Sequence, residues 1–348
     1  MNVLHLHDKV WKQLVERRQQ LPHALLLAGQ RGIGKFDLAA SFVQWLLCEN
    51  SASSQEACGT CLSCGWLAQG NHPDFRLIQP EALAGVQEET AENSGNKKAS
   101  QQITIDQIRA LDDFLHIGTH RHGLRIILIY PAEAMNRSTA NSLLKSLEEP
   151  SPSTLFILVS SEINRLLPTI RSRCQKLFIP MPEYHRSEAC LSAAGIKDAA
   201  HWLALTGGSP LLAAELASSD ERLALDALVD ELAKGLNLDP LAAAAAIDRA
   251  IKTAKLSIPL KRWVEWGQKW LIDLTMVQAG QKPRYFLAHA EVLQELVNTT
   301  RLEKLLAFFR KTLQYRQQSE QPLNSRLFFE DFFLSYMTLF QPVRGSND

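Results

Sequence analysis

Residues 25–36 read LLLAGQRGIGKF, an apolar run that breaks into Gly29, Gly32, Gly34 and Lys35. This is the strand–loop–helix pattern G-x-x-x-x-G-K-[ST] with one departure, Phe36 in the place of the hydroxyl residue. Glycines let the backbone turn tightly and aim its N–H groups at phosphate, and the lysine adds a charge. The hydroxyl of the complete motif holds Mg²⁺, and a phenyl ring offers the ion no oxygen. The turn dictates a strand feeding a helix in an α/β sheet. Its chemistry depends on residues elsewhere in the chain.

The next 150 residues alternate strand and helix signals. His23–Ala28 reads as a short buried strand, and Leu38, Phe42, Val43, Leu46 and Leu47 give the following segment one helical face. Residues 72–78 turn into a second strand, and 82–102 form a polar stretch without periodicity, an exposed mobile loop. Thr104 and Gln107 have the spacing of a capping box, ahead of the stripe Ile105, Ile108, Leu111, Phe114 and Leu115. Arg125–Tyr130 and Leu155–Val159 are further apolar strands, separated by a helix that Pro150 stops. Strands and helices alternating behind a phosphate loop predict a parallel sheet.

The strand Arg125–Tyr130 tests the chemistry. In phosphate-loop ATPases a strand of this type ends in an acid that helps hold Mg²⁺. Tyr130 and Pro131 occupy those places here, and neither can do that job. Glu133 lies just beyond; it reads either as a displaced acid or, the preferred reading, as a solvent-facing glutamate at a helix start.

Four of the six cysteines, Cys48, Cys58, Cys61 and Cys64, follow the spacing C-x9-C-x2-C-x2-C. Four thiolates suit a closed tetrahedral Zn²⁺ shell with no place for water, hence a structural ion. Four buried reduced thiols, or an iron–sulfur cluster, are the alternatives; the cluster lacks the further C-x3-C-P element of ferredoxins. His72 is superfluous to a shell already complete. Cys174 and Cys190 read as separate buried or free thiols.

Charge restricts the partners. Lys+Arg and Asp+Glu balance at 37 each, so the whole chain lacks the basic excess of an autonomous nucleic-acid binder. No apolar run approaches a membrane span, and the N-terminal segment, with its stripe Leu4, Val10, Trp11, Leu14 and Val15, lacks the features of a secretory signal. Clustered cysteines and these absences together predict a cytoplasmic protein.

Beyond Pro182 amphipathic helices replace strands. Residues 183–220 look like a small helical lid, and Asp239-Pro240 is a helix start. Trp263, Trp266, Trp270, Leu271 and Leu274 recur at helical spacing, a packing stripe in preference to a base-stacking one. Phe308, Phe309, Phe328, Phe329, Phe332, Phe333 and Phe340 predict closely packed terminal helices.

LLKSLEEP at 143–150 and SRC at 172–174, behind GQRGIGK and the four-cysteine knuckle, resemble the bacterial replicative clamp loaders of the AAA+ class. The resemblance is specific over about residues 20–180. It implies an α/β P-loop AAA+ domain with a parallel sheet over residues 1–181, an inserted zinc knuckle at 48–64, a helical lid at 182–222 and an all-helical collar at 223–348. It assigns Cys48, Cys58, Cys61 and Cys64 to zinc, and Arg173 to an arginine finger acting on ATP bound by a neighbouring subunit. Arg165, Arg171 and Arg173 lie within nine residues, and only the SRC context selects among them. Leu211 stands near the place of the family's lid arginine, so with Phe36 and the Tyr130-Pro131 pair three catalytic elements are lost at once. The resemblance then implies a non-hydrolysing subunit, with ATP weakly bound or absent at Gly29, Gly32, Gly34 and Lys35. Its partners are gamma/tau motor and delta subunits in a heteropentamer, and through them the sliding clamp and primed DNA, with no membrane. An atypical ATPase and a zinc-containing DNA-binding protein are the competing readings; the resemblance implies no intrinsic ATPase, but a subunit of a DNA-directed DNA polymerase complex.

Overall fold

The structure is a computed structural model that describes residues 3–51, 54–84, 99–116, 123–253, 258–319, 321 and 323–341. Two compact units divide the chain, Met1–Arg186 and Ser187–Asp348. Most of the polar stretch 82–102 lies outside the described residues.

The first unit is built on strands β1 (Ala24–Ala28), β2 (Phe75–Ile78), β3 (Arg125–Ile129), β4 (Thr154–Ser160) and β5 (Gln175–Phe178). All pair in parallel, in the order β2-β3-β4-β1-β5. Strands β1, β3 and β4 are buried along their whole length, which is why each reads as a continuous apolar run. Around them lie α1 (Val3–Leu6), α2 (Asp8–Glu16), α3 (Lys35–Leu47), α4 (Leu62–Ala68), α5 (Ile105–His116), α6 (Arg137–Glu148) and α7 (Pro168–Arg173). Side chains alternate across each strand, so two cores form. Leu25, Leu27, Leu128 and Ile157 pack with Trp11 and Leu14 of α2 and Phe42 of α3. Leu26, Ile127, Phe156 and Leu158 pack with Leu111 of α5, Leu143 of α6 and Ile170 of α7.

Local chemistry fixes the helix starts. Thr104 N–H donates to Gln107 Oε1 at 2.9 Å and Gln107 N–H returns to Thr104 Oγ1 at 3.4 Å, the expected reciprocal cap. Asn136 Oδ1 accepts from Thr139 N–H at 2.9 Å and starts α6. Edge strand β5 is an element that the sequence reading did not anticipate. Only Leu177 of its four residues is buried, so it has no apolar periodicity to detect.

The second unit is helical: α8 (Tyr184–Ala193), α9 (Ala199–Leu205), α10 (Pro210–Ser218), α11 (Glu221–Ala233), α12 (Pro240–Thr253), α13 (Leu260–Gln278), α14 (Ala290–Val297), α15 (Leu302–Gln318) and α16 (Ser325–Met337). Asp239 caps α12 through Oδ1, which accepts from Leu241 N–H at 3.0 Å. One hydrophobic core runs from Leu191 to Phe340 and takes in Trp263, Trp266, Trp270, Leu271 and Leu274. The tryptophan stripe is thus packing. Gly267 is required where α13 meets α16, because a Cβ there would lie 2.9 Å from Phe332 Cζ. Among the described residues no helix is long and apolar enough to cross a membrane.

Candidate functional site

In a parallel sheet the C-terminal strand ends share one edge, so β1, β3 and β4 deliver their following residues to one place. The turn after β1 is the phosphate-loop sequence. Gly32 and Gly34 have φ of 77° and 86°, left-handed values that side chains rarely adopt. A Cβ on Gly29 would sit 2.6 Å from the Ile179 carbonyl oxygen. The glycines therefore serve the geometry of the turn. Ile33 is buried there, and His7 donates from Nε2 to its carbonyl at 2.6 Å.

Lys35 begins α3 with 4% exposure, and its ammonium donates to Gln30 O at 2.5 Å and to Ser161 Oγ at 2.9 Å. Burial pushes its pKa down to about 8, with the Glu133 carboxylate opposing and the Arg31 charge reinforcing that fall. The lysine is folded onto the turn and the end of β4. Phe36 meets Tyr130 directly, with ring centroids 4.7 Å apart and planes inclined at 32°. The two positions that supply metal-binding oxygens in the complete motif are here an aromatic pair.

Glu133 departs from the solvent-facing reading. It lies in a single 3₁₀ turn, half-buried, and its Oε1 accepts the Ser161 N–H at 3.0 Å. The Ser161 N–H, just past the end of β4, is satisfied by this carboxylate and draws it towards the sheet. Ser161 is the member of this site that sequence reasoning missed, and Glu133 was named there without its partner. The serine pair directly after the apolar run of β4 was the available signal. Leu211, in the first turn of α10, belongs to the second unit.

The cysteines converge. The sulfurs of Cys48, Cys58, Cys61 and Cys64 all lie within 4.8 Å of one another. A tetrahedral shell with Zn–S bonds of ~2.3 Å sets its sulfurs ~3.8 Å apart, so this set fits a single ion. Backbone N–H groups of Cys58, Cys61 and Cys64 point at the sulfurs of Cys48, Cys58 and Cys61 at 3.3, 3.4 and 3.4 Å. Such donors favour thiolates. The N–H groups of Thr60 and Cys61, with the Thr60 hydroxyl, draw the Cys58 thiol down to about 5, whereas burial pushes Cys64 up to about 12. His72 stays outside the cluster; its Nε2 shares a hydrogen bond with Ser63 Oγ at 2.9 Å, and its Nδ1 accepts from Asp74 N–H at 3.0 Å. The knuckle is anchored on the other side by Trp11 and Trp45, whose indoles donate to Gln55 O at 3.0 Å and Ser54 O at 2.9 Å. Cys174 is buried, which raises its thiol to about 11, and stands apart from this set.

The three arginines of 165–173 differ in how they are held. Arg165 faces Glu162 in its own turn at 3.6 Å, and Arg171 Nη1 donates to Asn164 Oδ1 at 3.5 Å. Arg173, the last residue of α7, reaches another helix: its Nη2 lies 2.5 Å from Glu148 Oε1 of α6, and its Nη1 donates to Thr169 O at 3.0 Å.

A family model described as DNA polymerase III, delta subunit, matches residues 6–183. The chain is 34% identical over 346 residues to DNA polymerase III subunit delta' of Pseudomonas aeruginosa, covering 95% of this chain and 96% of that one. It is 27% identical over 329 residues to the protein of the same name from Escherichia coli, with 92% and 90% covered. Among solved structures, a gamma subunit-related protein of DNA polymerase III from Thermotoga maritima overlaps 95% of this chain and 99% of its own length at 16% identity, with a TM-score of 0.46. That score is too low to add to the sequence likeness. The length and completeness of the Pseudomonas match, together with the family model over the sheet-bearing unit, place this chain in the DNA polymerase III subunit delta' family.

Proposed function

We propose that this chain is the non-hydrolysing stator of a DNA polymerase III clamp loader, the assembly that sets the sliding clamp on primed DNA. The observation that carries the reading is the Phe36–Tyr130 contact at the end of β1 and β3. It leaves the phosphate-loop turn in shape and fills the metal seat with rings, so the turn serves the fold and binds ATP weakly or not at all. Arg173 is then the residue that acts on ATP, and the ATP belongs to a neighbouring gamma/tau motor subunit. A guanidinium is permanently charged, and its planar fork matches phosphate oxygens as negative charge spreads over the transferring group. Cys48, Cys58, Cys61 and Cys64 hold a structural Zn²⁺, which crosslinks the end of α3 to α4 and takes no part in ATP chemistry. Residues 182–222 act as lid, and residues 223–348 as the collar that joins motor and delta subunits in a heteropentamer. The site of action is the cytoplasm.

The test is a reconstituted loader containing motor and delta subunits, with clamp and primed DNA present. Arg173→Ala is expected to lower stimulated ATP turnover by about 10³-fold, the low end for an arginine finger, with assembly intact. Unchanged turnover in an intact assembly refutes the assignment.

A further inference from the structure

Arg173 and Glu148 form a close ion pair, 2.5 Å between Nη2 and Oε1. The partners come from different elements. Glu148 is the last residue of α6, and Arg173 is the last residue of α7. A carboxylate at a helix C-terminus faces the negative end of the helix dipole, so α6 alone gives Glu148 no reason to be there. Opposite it, the guanidinium is fixed twice, by Glu148 and by the Thr169 carbonyl at 3.0 Å. Of the five N–H bonds of a guanidinium, one on each terminal nitrogen is engaged in this way, and among the described residues the others are left for an oxyanion. Among the described residues, Arg165 and Arg171 are held instead by Glu162 and Asn164, in the short turn before α7 and not on α6.

We infer that Glu148 is a positioning residue for Arg173: its carboxylate holds the guanidinium in the place from which it reaches a neighbour's ATP. The inference rests on the arginine-finger reading of Arg173. A free arginine side chain has four rotatable torsions, and ordering it when ATP arrives costs conformational entropy at the moment of reaction. The ion pair fixes the side chain beforehand. Because both partners are partly exposed, at 35% and 48%, the tie is of modest strength. It orients the arginine and leaves its charge available to the transition state.

The experiment is a double-substitution cycle in the reconstituted loader, with clamp and primed DNA, using Glu148→Gln, Arg173→Ala and both together. Glu148→Gln keeps the size of the side chain and removes its charge. The expected result is a fall in kcat of about two- to fivefold, the contribution of an exposed ion pair, with the motor's KM for ATP unchanged. Combined with Arg173→Ala, the same substitution is expected to cost nothing further, because Glu148 acts through the arginine. Glu148→Asp, which restores a shorter carboxylate, is expected to recover part of the loss. Wild-type or raised turnover for Glu148→Gln, beside a large loss for Arg173→Ala, overturns the inference and leaves the finger in place. An equal loss from Glu148→Gln in both arginine backgrounds shows a merely structural role and also overturns it. No loss from Arg173→Ala removes the finger reading itself, and the inference with it.

Discussion

His7 is 3% exposed and donates through Nε2 to the Ile33 carbonyl inside the phosphate-loop turn. Burial is the largest cause of its lowered pKa, with the bond to Ile33 opposing and the Lys35 charge reinforcing. A histidine whose folded pKa lies below its unfolded value of 6.5 resists protonation in the folded state. Its contribution to stability is full above pH 6.5 and is lost as pH falls through and below that value. Lowering the pH from 7.5 to 5 is therefore expected to depress the Tm of the wild type more than that of His7→Gln, which can still donate to Ile33. Equal depression in thermal scans of the two proteins would contradict this. Lys35 behaves with the same sign in a higher pH window. With a folded pKa of about 8 against 10.5, it gives stability that grows as pH rises from 8 towards 10.5, and Lys35→Met is expected to abolish that increment. Neither effect is legible in the sequence. The motif names Lys35 as a phosphate ligand, and only the neighbouring Gln30 carbonyl and Ser161 hydroxyl show where its ammonium rests.

At the scale of elements, the knuckle and the phosphate-loop turn were both legible as spacing patterns, for different physical reasons. Cysteines at x2 spacing on a turn leading into α4 cannot diverge far, so Cys58, Cys61 and Cys64 had to cluster, and Cys48 joins them because α3 ends beside that turn. The pattern does not reveal that Trp11 and Trp45, on two earlier helices, bond to the connecting backbone. Those bonds give the knuckle a spectroscopic readout. Purified protein is expected to contain about one zinc per chain, and a strong chelator at neutral pH is expected to lower the Tm and shift tryptophan emission together. Substoichiometric metal with an unchanged emission spectrum would count against the ion. For the turn, the aromatic pair predicts that any binding of ATP to the isolated chain is equally weak in Mg²⁺ and in a chelating buffer, by calorimetry. A marked gain in affinity with Mg²⁺ would revive the reading of an atypical ATPase. Strand β5 shows the limit of pattern reading: an edge strand with one buried residue is specified by its hydrogen bonds to β1, and those are invisible in sequence.

For the whole molecule, the division into a sheet-bearing unit and a helical one follows from a change in periodicity near residue 182, and each unit has its own core. The aromatic stripes of the second unit announce burial without saying which stripe meets which. Its polar ties join residues far apart in sequence. Trp270 Nε1–H donates to Tyr336 Oη at 3.0 Å across 66 residues, and the Tyr336 hydroxyl donates to Leu232 O at 2.9 Å across 104. Asp273, fully buried, accepts the backbone N–H groups of Arg284, Tyr285 and Phe286 at 2.8, 2.9 and 2.6 Å. Tyr336→Phe leaves the buried Trp270 indole donor without its acceptor and removes one of the donors to the Leu232 carbonyl. It is expected to destabilise the protein by about 1–3 kcal/mol in chemical denaturation, whereas an exposed Leu327→Ala is expected to change little. Equal effects of the two substitutions would show that the buried hydroxyl is not a stabilising link.

That hydroxyl has a consequence for observing the protein at work. The indole proton of Trp270 points at an oxygen that is itself tied to a third helix, in a place closed to water. Its proton resonance should exchange with deuterium only when α11, α13 and α16 come apart together. One signal then times the opening of the entire helical unit, and comparing its exchange rate in the free chain and in the assembled loader measures how far assembly clamps that unit shut.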